Sequence, residues 1–173
     1  MKDRVREAVF NLVGTAVQER LVIDLFSGTG AMGFEALSRG ARQAVLIERR
    51  FPAVSVIRAN ASSLGIEDRV EVVAGDAFTW ARRQPDLGSL PWLVFICPPY
   101  DFFDALGDQM LGLIRHLVEA APAGSLFVVE SDGRFKIEQL GLAEDWDVRS
   151  YPPAVIAIME KANPDSRLSQ VAP

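Results

Sequence analysis

The stretch Asp24-Leu25-Phe26-Ser27-Gly28-Thr29-Gly30 decides the fold of this 173-residue chain. It begins inside the apolar run Leu21–Phe26, and together with Gly33 it spells G-x-G-x-x-G at a strand-to-helix turn. Glycines at such a turn let the backbone pass close to a ligand. Glu48 follows 20 residues after Gly28, where a carboxylate can accept hydrogen bonds from ribose hydroxyls. The pattern predicts a cofactor that contains a nucleoside.

Apolar, β-branched runs alternate with helical patterns from residue 20 onward. This alternation predicts an α/β fold in which helices cover both faces of a mostly parallel sheet. The first five runs are nearly continuous in apolar residues, as is typical of strands buried on both faces. Only Pro152-Pro153 separates the last two, which is too short for a helical crossover and predicts an antiparallel hairpin at the sheet edge. The predicted strands are Leu21–Phe26, Ala44–Glu48, Val70–Ala74, Trp92–Cys97, Ser125–Glu130, Trp146–Tyr151 and Ala154–Glu160.

Three helical segments are predicted from their apolar spacing and their end residues. The first, which starts at Asp3, places four apolar residues on one face: Val5, Val9, Leu12 and Ala16. The second has Pro52 in its first turn and Gly65 as its left-handed end. The third is Ala77–Arg83, for which Asp76 is a suitable N-cap.

One domain is expected, because 49% of the residues are apolar and a chain of this length can bury a full core. Residues 1–162 form that domain in our interpretation. The tail 163–173 lacks apolar periodicity and is expected to be disordered.

Composition also bounds the setting of the protein. The sequence contains no run of the roughly 18 apolar residues that a membrane helix needs, so a cytoplasmic protein is expected. The single cysteine, Cys97, cannot form an internal disulfide. Without Cys-x-x-Cys or paired histidines no metal site is expected. A monomer is expected as well.

The charge is unevenly distributed along the chain. The net charge of −5 argues against a protein that holds nucleic acid by general electrostatic attraction. Residues 1–60 carry +3, however, whereas residues 61–173 carry −8. The excess near the glycine loop indicates a possible contact surface for phosphates, although an imbalance this small is also ordinary for a solvated surface.

Three features favour S-adenosylmethionine over a nicotinamide as the cofactor. Asp24 lies at the end of the first strand, where a carboxylate can hold the ammonium of a methionine moiety but would repel a pyrophosphate. Asp76 ends the third strand and can accept a hydrogen bond from an adenine amino group. Pro98-Pro99-Tyr100 follows the fourth strand, beside the point at which ligands bind in open α/β sheets.

Five segments of the sequence occur in a characteristic order and spacing. They are Asp3-Arg4-Val5-Arg6-Glu7-Ala8-Val9-Phe10-Asn11, Asp24 to Gly30, Glu35-Ala36-Leu37-Ser38-Arg39-Gly40-Ala41, Ile47-Glu48 and Pro98-Pro99-Tyr100. Together they resemble the RsmD family, whose members methylate the exocyclic 2-amino group of a guanine in small-subunit ribosomal RNA. The resemblance covers nearly the whole chain from Asp3 to about Glu160. It implies a class I, Rossmann-like methyltransferase sheet with seven strands and a reversed last strand.

The resemblance also implies roles for individual residues. In such enzymes the base is swung out of its helix, and a tetrapeptide holds its amine and stacks on its ring. Here that tetrapeptide is Cys97, Pro98, Pro99 and Tyr100. Arg4 and Arg6 are candidates for RNA binding. The candidate cofactor residues are Asp24, Phe26, Ser27, Gly28, Gly30, Glu48, Asp76 and Ala77.

Cys97 departs from the family, which has Asp or Asn at this position. A thiol is a weak donor and a weak acceptor, so the loss of the amide or carboxylate oxygen is expected to cost on the order of 3 kcal/mol in the transition state. Three hypotheses stay open. The enzyme works slowly through the Pro98 carbonyl; it has lost catalysis and kept cofactor or RNA binding; or Cys97 is a nucleophile, which its place before both prolines disfavours.

The amino terminus is a second departure. The family usually carries a basic, glycine-containing hairpin before the helix that begins at Asp3, and this sequence starts at Met1 without one. A weaker grip on RNA is therefore expected, although ribosomal RNA or an immature small subunit remains the expected partner. The alternatives are a non-catalytic relative, a small-molecule methyltransferase and a nicotinamide oxidoreductase.

Two further sets of residues invite a functional interpretation. His116 lies in the helical stretch Ala105–Ala121 among apolar residues and is expected to be structural. Asp101, Phe102 and Phe103 follow Tyr100, where they either line the mouth of the substrate pocket or pack beneath the sheet.

Overall fold

A computed structural model describes residues 3–142 and 146–162. In these ranges seven strands alternate with six α-helices. The strands are β1 (Leu21–Asp24), β2 (Gln43–Glu48), β3 (Val70–Ala74), β4 (Trp92–Ile96), β5 (Leu126–Asp132), β6 (Asp147–Tyr151) and β7 (Ala154–Glu160). The helices are α1 (Asp3–Val13), α2 (Ala31–Ser38), α3 (Phe51–Leu64), α4 (Ala77–Arg82), α5 (Asp101–Ala105) and α6 (Gly107–Ala120).

The strands form one sheet in the order β3-β2-β1-β4-β5-β7-β6. Strands β1 to β5 pair in parallel, whereas β7 is antiparallel to both β5 and β6. The predicted hairpin around Pro152-Pro153 is confirmed, with Tyr151 paired to Ala154. The strand order reverses between β1 and β4, and this reversal opens a crevice at the carboxyl ends of those two strands.

Helices cover both faces of the sheet, as the alternating pattern predicts. One apolar core contains side chains of α1, α2 and α3, such as Phe10, Ala36 and Ile57, packed against the sheet. The other contains side chains of α4, α5 and α6, such as Phe103 and Ile114. Both cores lie directly beneath the crevice, so they hold the strand ends that surround it in fixed positions.

The interpretation of all five early runs as strands buried on both faces is wrong for β3. This strand is at the edge of the sheet, where Glu71 and Ala74 are exposed. The predicted bounds of β3 and β7 are confirmed, and those of the other strands shift by one or two residues. β1 ends at Asp24 rather than Phe26, and β4 ends at Ile96 rather than Cys97, because the chain leaves the sheet to form the loops of the crevice.

The predicted end of α3 is confirmed, whereas the predicted buried face of α1 is partly wrong. Gly65 ends α3 with φ +64°, and the N–H of Ile66 donates to the Ala61 carbonyl at 3.1 Å. In α1 the buried face holds Phe10 and Val13, whereas Leu12 is 38% exposed. The expected face Val5, Val9, Leu12 and Ala16 is therefore wrong at Leu12.

Two expectations lie partly or wholly beyond the structure. The tail 163–173 is outside the described residues, and so is part of the domain proposed over 1–162. In the described ranges, no helix combines the length and apolar character that a membrane span needs. The same ranges contain no group of three or more His, Cys, Asp or Glu side chains that could hold a metal ion.

Candidate functional site

A cavity of about 630 Å³ occupies the crevice at the carboxyl ends of the parallel strands. Its volume is in the range of sites that enclose small molecules and cofactors. Residues 97–100 line it, and so do five of the candidate cofactor residues: Phe26, Gly28, Glu48, Asp76 and Ala77. A smaller cavity of about 200 Å³ shares Phe26, Gly28 and Cys97 with it and adds Asp24, Ser27 and Arg6.

The glycine loop turns sharply between β1 and α2. Gly28 has φ +56°, a conformation that favours glycine, and no atom lies within 4 Å of the Cβ position that a side chain would occupy. The Ser27 N–H donates to the Ile47 carbonyl at 3.0 Å, and the Ser27 hydroxyl donates to the Asp24 carbonyl at 2.8 Å. These bonds hold the loop against β2 and leave open space at Gly28.

Glu48 ends β2 and organises the loops on both sides of it. Its carboxylate accepts a hydrogen bond from the Gly28 N–H at 2.9 Å and another from the Arg50 N–H at 2.7 Å. The side chain is buried, with 7% of the residue exposed, and still lines the large cavity. A carboxylate has about four acceptor positions, so Glu48 can bind these amides and also receive hydroxyl donors from a ligand.

Asp24 is the most unusual group of the site. It is 1% exposed, and its buried Oδ2 atom has no hydrogen-bond partner in the part of the chain that the structure describes. Burial raises the pKa of Asp24 to about 7, and a hydrogen bond from the Phe26 backbone offsets this increase only in part. A buried, unpartnered carboxylate is costly, and the cost is relieved when a cation is bound beside it.

Asp76 is both a helix N-cap and a cavity residue, as its sequence context predicts. Its Oδ1 atom accepts a hydrogen bond from the Thr79 N–H at 2.9 Å, so Asp76 is the N-cap of α4. It also lines the large cavity together with Ala77, close to the end of β3. The capping bond uses one oxygen and leaves acceptor capacity for a ligand.

Tyr100 joins the tetrapeptide to a residue that sequence reasoning missed. Its hydroxyl donates to Glu130 Oε1 at 3.0 Å. Glu130 is 3% exposed, lies on β5 and lines the same cavity as Cys97. Partial burial and the carboxylate raise the pKa of Tyr100 to about 12, so its hydroxyl remains a proton donor at neutral pH. Glu130 could have been found from the sequence, because it directly follows the apolar run Leu126 to Val129 on a predicted parallel strand.

Cys97 is partly buried and lies between two carboxylates. Desolvation, followed by the negative charges of Glu130 and Asp24, raises the pKa of the Cys97 thiol well above its ordinary range. A thiol in this environment stays protonated at neutral pH, whereas a nucleophilic cysteine requires a lowered pKa. The surroundings of Cys97 therefore disfavour a thiolate.

The three residues after Tyr100 separate into different roles. Phe102 lines the large cavity, with the Arg49 guanidinium 5.3 Å from its ring centre. Phe103 is buried in the core and stacks on Phe135 at 4.2 Å. Asp101 is exposed and pairs with Arg134 at 3.1 Å. Only Phe102 therefore agrees with the interpretation that these residues line the mouth.

The remaining candidate residues are distributed unevenly. Arg6 is half-buried and lines the smaller cavity with Asp24, whereas Arg4 is exposed and lines neither cavity. Gly30 also lines neither, because its left-handed backbone (φ +85°) starts α2 against Phe34. His116 is half-buried on α6 beside Trp80 and Trp92, away from the crevice.

Arg49 and Arg50 are further cavity residues that the sequence pattern did not single out. Both directly follow Glu48, so their position after an acidic strand end was the available signal. Exposed Arg49 and Arg50 thus line the same cavity as the buried carboxylates of Glu48 and Glu130.

This geometry agrees with comparisons to known proteins. The family described as "Conserved hypothetical protein 95" matches residues 1–160. The chain belongs to this family. It is the RsmD family of S-adenosylmethionine-dependent methyltransferases, so the resemblance identified from the five motifs is confirmed.

Individual relatives agree with that assignment. "Ribosomal RNA small subunit methyltransferase D" of Haemophilus influenzae is 29% identical over 144 residues, which cover 83% of this chain and 72% of the relative. The YlbH protein of Bacillus subtilis is 31% identical over 102 residues, or 57% of this chain. The chain spans about half the length of YlbH, with 53% covered.

The fold has a close counterpart among solved structures. An RNA methyltransferase from Salinibacter ruber, crystallised in complex with S-adenosyl-L-homocysteine, superposes with a TM-score of 0.68 at 21% identity. The superposition covers 94% of each chain. The expected class I methyltransferase fold is confirmed.

Proposed function

We propose that this protein is an S-adenosylmethionine-dependent methyltransferase that acts on the exocyclic amine of a guanine in small-subunit ribosomal RNA. The observation that carries the proposal is the buried carboxylate of Asp24 beside the glycine loop, whose Oδ2 atom has no hydrogen-bond partner among the described residues. A cation bound next to it would stabilise such a carboxylate. A nicotinamide dinucleotide offers a pyrophosphate there, which Asp24 would repel.

The residues of the crevice fit the proposed cofactor from end to end. Asp24 would hold its ammonium, and Glu48 its ribose hydroxyls. Asp76 and Ala77 would meet the adenine, with Arg49 and Phe102 at the same end of the cavity. When bound, S-adenosylmethionine supplies a methyl group attached to a positively charged sulfur.

Arg6 has a different role in this proposal from the RNA contact that its sequence context indicates. It lines the cavity of Asp24, so its guanidinium is placed to bind the carboxylate at the amino-acid end of the cofactor. Arg4, which is exposed on the same helix, remains the candidate for contact with RNA phosphates.

The base pocket lies next to the cofactor site, around residues 97–100. The ring of Tyr100 would stack on a guanine that has been swung out of its helix, and the Pro98 carbonyl would accept a hydrogen bond from its amine. Positioning of the amine would supply much of the catalysis. Ribosomal RNA as the substrate class is supported by the Haemophilus influenzae relative and its printed name.

A second candidate function follows from one observation, the thiol at position 97. A relative that binds the cofactor or RNA without transferring a methyl group would tolerate Cys97, because binding does not need an acceptor for the amine. The protonated state of the thiol supports this candidate and the slow enzyme equally, while it disfavours a covalent cysteine mechanism.

The cofactor half of the proposal is tested by calorimetric titration of the purified protein with S-adenosylhomocysteine and, separately, with NADH. We expect saturable binding of S-adenosylhomocysteine and none of NADH. The opposite pattern would overturn the methyltransferase assignment.

The substrate half is tested by transfer of radiolabelled methyl groups to immature small subunits, mature small subunits, DNA and a metabolite pool. Label in the immature ribosomal RNA, located on guanine by nucleoside analysis, is expected. Label confined to metabolites would instead identify a small-molecule enzyme, and cofactor binding without any transfer would identify the non-catalytic relative.

A further inference from the structure

We propose that Glu130 supplies the acceptor that Cys97 cannot, so that the carboxylate for the target amine comes from β5 instead of from the first position of the tetrapeptide. This inference rests on the function proposed above. It makes Glu130 a residue that contacts the substrate, and it explains how a chain with a thiol at position 97 can retain catalysis.

The register of the sheet places Glu130 where the missing oxygen is needed. β4 and β5 are parallel, and Ile96 pairs with Val129. Cys97 directly follows β4, and Glu130 follows Val129 on β5, so the two residues lie next to this last pair at the same level of the sheet. Both line the large cavity. The carboxylate is thus displaced by one strand from its usual origin.

The carboxylate of Glu130 is held in place rather than free. The Tyr100 hydroxyl donates to Oε1 at 3.0 Å and is, among the described residues, the one side chain that donates a hydrogen bond to Glu130. A carboxylate has two oxygens and about four acceptor positions, so one bond leaves capacity for an amine. Tyr100 therefore orients Glu130 with its hydroxyl and presents its ring to the base.

The burial of Glu130 is difficult to explain by packing alone. Only 3% of the residue is exposed, although a carboxylate is among the groups that proteins least often bury. Of the adjacent buried residues on β5, Val128 and Val129 are apolar and Ser131 carries only a small hydroxyl, so Glu130 is the one ionisable side chain among these four. A charge retained at the end of an apolar strand, inside a cavity, is typical of a functional group.

The chemistry requires one strong acceptor at the amine. The nitrogen lone pair is shared with the purine ring, and an acceptor that draws an N–H out of the ring plane returns it to the nitrogen. As the nitrogen–methyl bond forms, the carbon–sulfur bond breaks and its electron pair stays on sulfur. The amine nitrogen loses one proton, which passes along the hydrogen bond to the Glu130 carboxylate.

The test compares methyl transfer by five variants of the full chain on immature small subunits. Glu130→Ala is expected to lower kcat by roughly 10²-fold or more, as removal of one preorganised polar contact does. Glu130→Gln retains one acceptor oxygen and is expected to lose less, about tenfold. Ser131→Ala, the matched control at the next buried polar position of β5, is expected to keep the kcat of the unmodified protein.

Rescue separates a substrate contact from a structural role. Cys97→Asp in the Glu130→Ala background restores the carboxylate from the neighbouring strand, so kcat should recover by about tenfold or more. Cys97→Asp alone should add little, because Glu130 already occupies the role and a second carboxylate beside it would repel it. Affinity for S-adenosylhomocysteine, measured by calorimetry, should stay within about twofold throughout.

The possible failures are distinguishable. If Glu130→Gln and Glu130→Ala keep full kcat, the inference is overturned and the proposed function stands. If the unmodified protein is inactive and Cys97→Asp alone activates it, Glu130 does not replace the acceptor, and the non-catalytic relative is favoured. If neither the unmodified protein nor Cys97→Asp labels RNA although both bind S-adenosylhomocysteine, the proposed substrate fails and the inference fails with it. If a Glu130 variant unfolds at the assay temperature and Cys97→Asp does not restore it, the role of Glu130 is structural.

Discussion

Asp24 and Glu130 are two buried carboxylates at neighbouring parts of one crevice, and they differ in what surrounds them. One oxygen of Asp24 has no hydrogen-bond partner within residues 3–142 and 146–162, and burial raises the pKa of Asp24 to about 7. Glu130 is equally inaccessible but accepts a hydrogen bond from Tyr100. The protein leaves the hydrogen bonding of the Asp24 carboxylate incomplete, whereas Tyr100 orients the Glu130 carboxylate.

The difference indicates what each half of the crevice binds. An incomplete, destabilised carboxylate gains most from a full positive charge, which fits the ammonium of a cofactor. An oriented carboxylate is better suited to a neutral donor whose direction matters, such as the amine of a base. Function and stability therefore conflict at Asp24 more than at Glu130.

The largest expected effect concerns the stability of the protein without cofactor. The ionised form of Asp24 is disfavoured in the folded state, so its stability penalty is absent below the ordinary pKa of 3.8 and complete above about 7. Asp24→Asn should stabilise the protein at pH 8 by up to about 4 kcal/mol. Urea unfolding of both proteins at pH 4 and pH 8 measures this, with a smaller difference expected at pH 4. Equal stability at pH 8 would show that Asp24 is not destabilising.

Asp24→Asn should be unfavourable for cofactor binding, although it is favourable for the stability of the protein without cofactor. Asp24→Asn should weaken binding of S-adenosylhomocysteine by about 10²-fold, because it removes one partner of a buried charge pair. Glu130→Gln is the matched variant on the other side of the crevice and should leave this affinity unchanged. Calorimetric titration of both compares the two carboxylates directly. A loss of cofactor affinity for Glu130→Gln alone would reverse the assignment of the two halves.

The pH dependence of cofactor binding should follow Asp24. An ammonium needs the ionised carboxylate, and Asp24 is protonated below its pKa of about 7. Affinity for S-adenosylhomocysteine should therefore fall by about tenfold between pH 8 and pH 6 and level off above pH 8. Titrations in buffers of different ionisation enthalpy should detect proton release near pH 7. The slope should vanish in Asp24→Asn, and a slope retained there would assign it to another group.

Arg6 tests the other charged group of the amino-acid end of the cofactor, its carboxylate. Arg6→Ala should lower the affinity for S-adenosylhomocysteine by about tenfold, since a half-buried guanidinium contributes less than a fully buried carboxylate. Arg4→Ala is the control on the same helix and should leave it unchanged. If only Arg4→Ala weakens binding, the assignment of the two arginines is wrong.

The smallest effect is expected at Tyr100. Tyr100→Phe keeps the ring for stacking but removes the hydrogen bond to Glu130, which should reduce kcat by about threefold to tenfold. The KM for RNA should change little, because the stacking face is retained. Steady-state kinetics on immature small subunits separate the two constants. A large increase in KM without a change in kcat would show that the hydroxyl binds RNA and does not orient Glu130.

Much of the fold follows from short-range patterns. The alternation of apolar runs with helical segments, the hairpin at Pro152-Pro153 and the end of α3 at Gly65 depend on turn chemistry and periodicity over a few residues. The loop from Asp24 to Gly30 and the distant Glu48 belong to the same class, because their spacing is characteristic of a strand, a turn and a helix. These features were therefore available from the amino-acid sequence.

Where the patterns failed, position within the sheet was the cause. β3 is apolar except for Glu71, yet it lies at the edge of the sheet with Glu71 exposed, and one charged residue does not by itself distinguish an edge strand from a central one. In α1, Leu12 and Val13 are both apolar neighbours, and only packing against the sheet decides that Val13 is the buried one.

The sequence by itself determined the class of fold, the glycine loop and the departure at Cys97, because each depends on residues close together in the chain. The tertiary structure alone decided that Glu130 stands beside Cys97 and that Arg6 shares a cavity with Asp24. These pairs are far apart in sequence, and strand register and helix packing bring them together. Side-chain contacts of that kind are set by the whole sheet and leave no local pattern.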